Sequence, residues 1–164
     1  MVSRTKIVSR DKAWSGWLSA KGVSRSSHNF FWLIARTGDS WLWAIIILLL
    51  LWQWRELGLT LLWTVAGAAL IVAVSKGIFK RKRPSDPRLA ISTDKYSFPS
   101  GHAARVSAVA VTLTFFLPSW WLLWLVWATA VSIARVILAR HYLSDVFAGW
   151  IVGITYALIL NFIL

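Results

Sequence analysis

Between residues 41 and 164 the chain is a succession of five apolar runs, with their few charges near the ends. The runs cover residues 41–54, 57–79, 101–117, 120–138 and 143–164, separated by short polar turns and one longer loop. An apolar stretch of about 20 residues is the length that crosses the hydrocarbon core of a bilayer as a helix. Inside that core each backbone N–H and C=O needs a partner within the protein, which selects helices. The chain has 164 residues and is 58% hydrophobic, more apolar surface than one soluble domain of that size hides. The expected fold class is therefore all-α, a polytopic transmembrane bundle of about five to six spans with an N-terminal interfacial helix. It is expected to form one domain, with residues 1–39 as a basic interfacial segment and 40–164 as the bundle.

The first run is the least regular. Its 14 residues give a helix only ~21 Å long, so either the helix extends backward or the bilayer thins around it. Arg36-Thr37-Gly38-Asp39-Ser40 reads as a turn and helix cap, and a sixth crossing near residues 30–35 is the alternative. Residues 1–28 carry Arg4, Lys6, Arg10, Lys12, Lys21 and Arg25, with Trp14, Trp17 and Leu18 at helical spacing. An interfacial helix and a disordered basic tail both fit that pattern. This segment lacks the apolar core of a cleavable signal peptide. The absence of cysteine excludes disulfides, zinc–thiolate sites and cysteine nucleophiles.

Charge is distributed unevenly across the bundle. Two crossings separate loop 80–99 from turn 139–142, so both face one side. That side, with its span ends and the N-terminal segment, holds 17 of the 18 Lys and Arg, and Arg55 alone marks the other. The positive-inside rule turns the basic side toward the cytoplasm, with a bacterial inner membrane as the expected location. The net charge of +12 then reflects topology and anionic lipid rather than nucleic acid, because the cations abut apolar spans.

Three blocks converge on the basic side. They are Lys76-Gly-Ile-Phe-Lys-Arg-Lys-Arg83-Pro84, then Pro99-Ser100-Gly101-His102, then Arg135-Val-Ile-Leu-Ala-Arg140-His141-Tyr-Leu-Ser144-Asp145. Lys76, Arg83 and Arg135 can surround the oxygens of a phosphoryl group. Ser100 can cap the helix that follows it, and with the Gly101 amide it would complete the cradle. His141 and Asp145 are four apart and so share a helical face. A carboxylate there can take the Nδ1 proton of His141 and leave Nε2 as a nucleophile. His102 can protonate a leaving oxygen and later activate water.

Together the blocks resemble the signature of the type 2 phosphatidic acid phosphatase superfamily, which includes lipid phosphate phosphatases and shares its site with vanadium haloperoxidases. The pattern is Lys-x6-Arg-Pro, Pro-Ser-Gly-His and Ser-Arg-x5-His-x3-Asp. Lys76, Arg83, Pro84, Pro99, Ser100, Gly101, His102, Arg135, His141 and Asp145 fit it in order and spacing. Ala134 departs from it, standing where the pattern has Ser; the charged groups are kept, so a modest effect is expected.

The resemblance implies a phosphatase that uses no metal and no other cofactor. His141 forms a phosphohistidine while His102 serves as acid and then base, and Asp145 completes the catalytic set. It also implies phosphatidylglycerophosphate, phosphatidate or a polyprenyl phosphate or diphosphate as substrate. Many members of the superfamily face outward, against the charge bias. Asp86, Asp94 and Asp145 are the carboxylates of the basic side beyond the N-terminal segment, too few for a two-metal cage.

Other readings compete with this one. A lipid phosphotransferase would use the same residues. A non-catalytic scaffold binding anionic lipid would not need His102, His141 and Asp145. A transporter would need a polar path across the middle. Lys80, Arg81 and Lys82 read as a solvated or headgroup-facing run, Arg105 and Arg140 as anchors, and His28 as an interfacial residue. Asp86, Asp94 and Tyr96 are expected to belong to loop polarity. The 13 Trp read as aromatic belts and packing.

Overall fold

The computed structural model describes residues 4–21, 24–84 and 95–164. Asp86, Arg88 and Asp94 lie outside the described residues. Seven α-helices follow in order among the described residues: α1 (Arg4–Lys21), α2 (Arg25–Arg36), α3 (Ser40–Gln53), α4 (Arg55–Phe79), α5 (Gly101–Phe116), α6 (Trp121–Ile137) and α7 (Leu143–Ile163). A 3-10 turn at Pro118–Trp120 leads into α6.

Three segments are each long and apolar enough to cross a bilayer: α4, the 3-10 turn with α6, and α7. A fourth is α2 with α3, taken as one broken span with a 41° bend. Taken so, the short first run gains its length backward through α2, with Thr37 to Asp39 at the bend and residues 30–35 in the first half. Ser24 starts α2 by accepting the Ser27 amide at 3.1 Å.

Helix α5 has 16 residues and is ~24 Å long, shorter than these span candidates. It is the centre of the bundle. Val109 and Leu113 pack with Trp43 and Ile47 of α3 and Leu57 and Leu61 of α4. On another side Val106 and Ala110 pack with Ala128 and Val131 of α6. Small residues on α5 admit α7 closely. A Cβ on Gly153 would stand 2.1 Å from the Ala104 carbonyl oxygen, and one on Gly149 would stand 2.6 Å from that of Ser100. Glycines four apart on α7 therefore form the close-packing face familiar between membrane helices. Gly153→Ala should force α5 and α7 apart. The expected cost is about 1–3 kcal/mol, the range for overpacking, read as a lower midpoint in detergent unfolding. An unchanged midpoint would show that the contact is loose.

The outward faces carry Leu48, Leu49, Trp52, Leu70, Ile78, Phe147 and Phe162, all exposed. So much contiguous apolar surface belongs against lipid. Trp52, Trp54, Trp120 and Trp121 lie at the end of the bundle away from His102, with Trp54 edge-on to Phe116 at the end of α5. Buried Thr64 and Thr112 are 3.0 Å apart, and Asn161 donates to Thr112 at 3.0 Å, so these polar groups satisfy one another across α4, α5 and α7.

Helix α1 packs on α6 and α7. Its polar side meets the start of α7, where the first amides of a helix have no intrahelical acceptor. Asp11 accepts from the Ser144 amide at 3.1 Å, and Ser15 accepts from the Leu143 amide at 3.0 Å. Trp14 and Trp17 stay exposed and pair edge to face. Helix α1 thus has a docking side and a side that leaves these two indoles exposed.

Candidate active site

Two chain reversals bring the site together. Helix α4 ends at Lys80 in the left-handed conformation, and Ala139 adopts the same conformation after α6. Beyond Lys80 the chain is extended, with Lys82 bridged to Tyr96. Residues on an extended chain alternate sides, so Arg81 and Arg83 turn inward while Lys80 and Lys82 are exposed. Past Ala139, Arg140 and His141 both donate their amides to the Arg135 carbonyl, at 3.0 and 3.3 Å.

The result is a cavity of about 440 Å³ at one end of the bundle. Lys76, Arg83, Gly101, His102, Arg135 and His141 line it, so six of the eight residues singled out by sequence share one wall. Arg105, Arg140, Ser40, Ala69, Val72 and Ala73 complete the lining. Five cations and, among the described residues, no carboxylate line this space, which suits it to an anion. Arg105 and Arg140, read from sequence as anchors, are part of it. Arg83 also donates to the Arg140 carbonyl at 3.2 Å, which joins the first block to the third.

Ser100 and Asp145 do not line the cavity; both are fully buried behind it. Ser100 is the N-cap of α5, accepting the Ala103 amide at 3.4 Å, and its own amide donates to the Asp145 carbonyl at 2.9 Å. The hydroxyl expected to contact phosphate is thus a helix cap, while the Gly101 and His102 amides occupy the first turn.

His141 Nδ1 lies 2.8 Å from the Ser97 carbonyl oxygen and 3.7 Å from Asp145 Oδ2. A carbonyl can only accept, so Nδ1 carries the proton and Nε2 keeps its lone pair. The expected tautomer is present, but Ser97 sets it, and Asp145 stands beyond hydrogen-bond reach. Burial pushes the His141 pKa down to about 4, with Asp145 opposing and Arg135 and Arg83 adding to the effect. The imidazole is therefore uncharged at neutral pH, as a nucleophile requires.

Asp145 has two other duties. Its Oδ2 caps the start of α7 by accepting the Tyr142 amide at 2.9 Å. Its Oδ1 takes Arg81 at 2.7 Å. Arg81 also donates to Ser144 at 2.6 Å and to Asp11 at 2.7 Å, and it lies over the Tyr142 ring. Asp11 and the Ser144 hydroxyl are hydrogen-bonded as well. Burial alone would raise the Asp11 pKa, but its hydrogen bonds from Arg81 and Ser144 hold it below the ordinary value. Arg81, read from sequence as part of a solvated run, is instead the ion-pair partner of Asp145. The signal that finds it is Pro84: the residue before a proline is biased to extended backbone, and extended backbone puts residues 81 and 83 on one side.

Asp39 also belongs to this region. Its carboxylate makes no cap bond to α3. Instead Oδ1 lies 2.9 Å from His102 Nε2. Arg105 donates to the Gly38 carbonyl at 2.7 Å and holds the same bend against α5. His28, expected to be interfacial, lines a smaller recess with Asp39, Arg135 and Arg140. No group of three or more His, Cys, Asp or Glu among the described residues is placed to hold a metal ion.

Cation-lined and set in lipid-facing helices, this is the anion pocket of an integral membrane protein. The chain belongs to the PAP2 superfamily, whose family model matches residues 57–163. It is 38% identical to a protein of Arabidopsis thaliana named "Probable lipid phosphate phosphatase beta", over 54% of this chain and 57% of that one. It is 41% identical to an undecaprenyl-diphosphatase of Sulfolobus acidocaldarius, over 52% and 45%. It is 34% identical to a decaprenylphosphoryl-5-phosphoribose phosphatase of Mycobacterium tuberculosis, over 59% and 58%. The chain thus spans about half the length of the curated relatives it matches. Its fold resembles that of a transmembrane PAP2-type phosphatidylglycerolphosphate phosphatase from Bacillus subtilis, with a TM-score of 0.83 at 24% identity, covering 96% of this chain and 86% of that one. It also resembles Aquifex aeolicus LpxE, with a TM-score of 0.75 at 21% identity over 88% and 90%.

Proposed function

We propose that the chain is a lipid phosphatase that hydrolyses a phosphate monoester or diphosphate of a membrane lipid. The observation that carries this reading is the shared cavity, where two imidazoles meet five cations and, among the described residues, no carboxylate at the end of an apolar bundle. The cations bind the phosphoryl oxygens and stabilise the charge that gathers on them in the transition state. His141 Nε2 attacks phosphorus, the bond to the leaving oxygen breaks, and His102 gives that oxygen a proton. Water then attacks the phosphohistidine, His102 takes the water proton, and inorganic phosphate leaves. A neutral nucleophile bonded to Ser97 and an acid on a separate helix suit these two steps.

The apolar wall of Ala69, Val72 and Ala73 fits a lipid chain below the phosphate. The names of the Sulfolobus and Mycobacterium relatives put polyprenyl phosphates and diphosphates first among substrates to try, ahead of phosphatidylglycerophosphate and phosphatidate. No step calls for a metal. A panel of these lipids in detergent with chelator tests the reading: inorganic phosphate should appear from at least one, and none from any member contradicts it.

We read the charge bias as support for a site facing the cytoplasm from a bacterial inner membrane. Reporter tags at the Arg55 turn and after Leu164 should then both read extracytoplasmic. Cytoplasmic readings would turn the site outward.

A further inference from the structure

The bend between α2 and α3 is pinned from three sides. Trp43 donates to the Thr37 carbonyl at 3.0 Å, Trp127 donates to the Thr37 hydroxyl at 2.9 Å, and Arg105 donates to the Gly38 carbonyl at 2.7 Å. Gly38 fits because it has no side chain: a Cβ there would stand 2.9 Å from Val106 and from Val131. The same added Cβ would lie 3.4 Å from His102 Cδ2, so the Cδ2–Nε2 edge of that ring faces the bend. Asp39 Oδ1 meets Nε2 at 2.9 Å, and its Oδ2 is held by Trp41 at 3.2 Å and Arg36 at 3.4 Å. His102 also lines the cavity, and Nδ1 stands across the ring from the Cδ2–Nε2 edge.

We propose that Asp39 is the positioning residue of the general acid, fixing the ring of His102 so that Nδ1 serves the leaving oxygen. The proposal rests on the phosphatase reading above. The carboxylate also supplies what the pocket otherwise lacks. Arg105 and Arg135 line the same cavity, and the Asp39 carboxylate is the anion that meets the ring directly. In the first step the phosphorus–oxygen bond breaks and the Nδ1 proton passes to the leaving oxygen. His102 becomes neutral and still donates Nε2–H to Asp39. In the second step water loses a proton to Nδ1 as its oxygen bonds to phosphorus, which restores the imidazolium.

An acid matters most where the leaving group is a poor one. An alkyl phosphate expels an alkoxide and needs the proton, whereas a nitrophenyl phosphate expels a stabilised phenolate. The test is therefore a ratio of kcat/KM for two substrates in detergent, dodecyl phosphate and a nitrophenyl phosphate carrying a similar alkyl chain. Asp39→Asn should lower the alkyl-to-aryl ratio by roughly 10–100-fold, within the range for losing general-acid catalysis. On a His102→Asn background the same change should lower it no further.

A merely structural Asp39 would depress both substrates equally and leave the ratio unchanged, which overturns the proposal. So would an unchanged rate on both. Where Asp39→Asn yields no folded protein, Asp39→Ser removes the charge with less bulk and reads the same ratio, and Asp39→Glu should restore much of it. Failure of the phosphatase reading looks different: wild-type protein would release phosphate from neither substrate.

Discussion

His141→Ala is expected to release no phosphate from any lipid that the wild-type protein hydrolyses, a fall of roughly 10⁴-fold or more. The ring keeps a nitrogen with a free lone pair for attack, because Nδ1 is committed to the Ser97 carbonyl. An amide or hydroxyl at this position has no comparable nucleophile. Alanine also leaves a hole where a buried side chain stood, so loss of activity needs a companion measurement. The five lining cations remain in the variant. Inorganic phosphate should therefore still raise its midpoint of thermal unfolding in detergent. Activity within tenfold of wild type would remove His141 from the chemistry. Loss of both activity and phosphate binding would mean that the pocket itself had collapsed.

Arg81→Ala should produce the largest loss of stability. Asp145 has no exposed surface, and Arg81 is its ion-pair partner at 2.7 Å. Removing one member of a buried pair leaves the other charge uncompensated, at a cost of about 3–5 kcal/mol. Arg81 keeps some exposure, and Asp145 retains the Tyr142 amide, which favours the lower end of that range. Asp145→Asn in the Arg81→Ala background should recover part of the loss by removing the unpaired charge. The effect should also reach the N-terminus, because Arg81 ties Asp11 of α1 to Ser144 and Asp145 at the head of α7. Faster proteolysis of residues 4–21 in Arg81→Ala would report that release. A variant as stable as wild type would show the Asp11–Arg81–Asp145 chain to be incidental.

The helical class and the side-sharing of the three blocks are legible without coordinates, since run length and loop parity determine both. The identity of the partners is less so. Spacing put Asp145 on the same face as His141, yet spacing cannot show that a carbonyl from residue 97 arrives first. Arg81 could be reached from the extended bias before Pro84. Asp39 had no such signal: its partner is 63 positions away, and the bend that carries it is sited by Trp43, Trp127 and Arg105. The join between α2 and α3 was hidden for the same reason: a break at residues 37–39 looks like a terminus in one dimension, and only in three dimensions do the two helices follow one another at a 41° bend.

Trapping the covalent intermediate tests the whole account at its root. Wild-type protein and His102→Asn, which should slow breakdown, would be mixed with lipid carrying radioactive phosphate, quenched in base and digested. Label should appear on the peptide containing residue 141, stable to alkali and lost in acid, as a phosphorus–nitrogen bond requires. Label that survives acid, or that sits on another peptide, or a quench with turnover but no labelled protein at all, would contradict attack by His141.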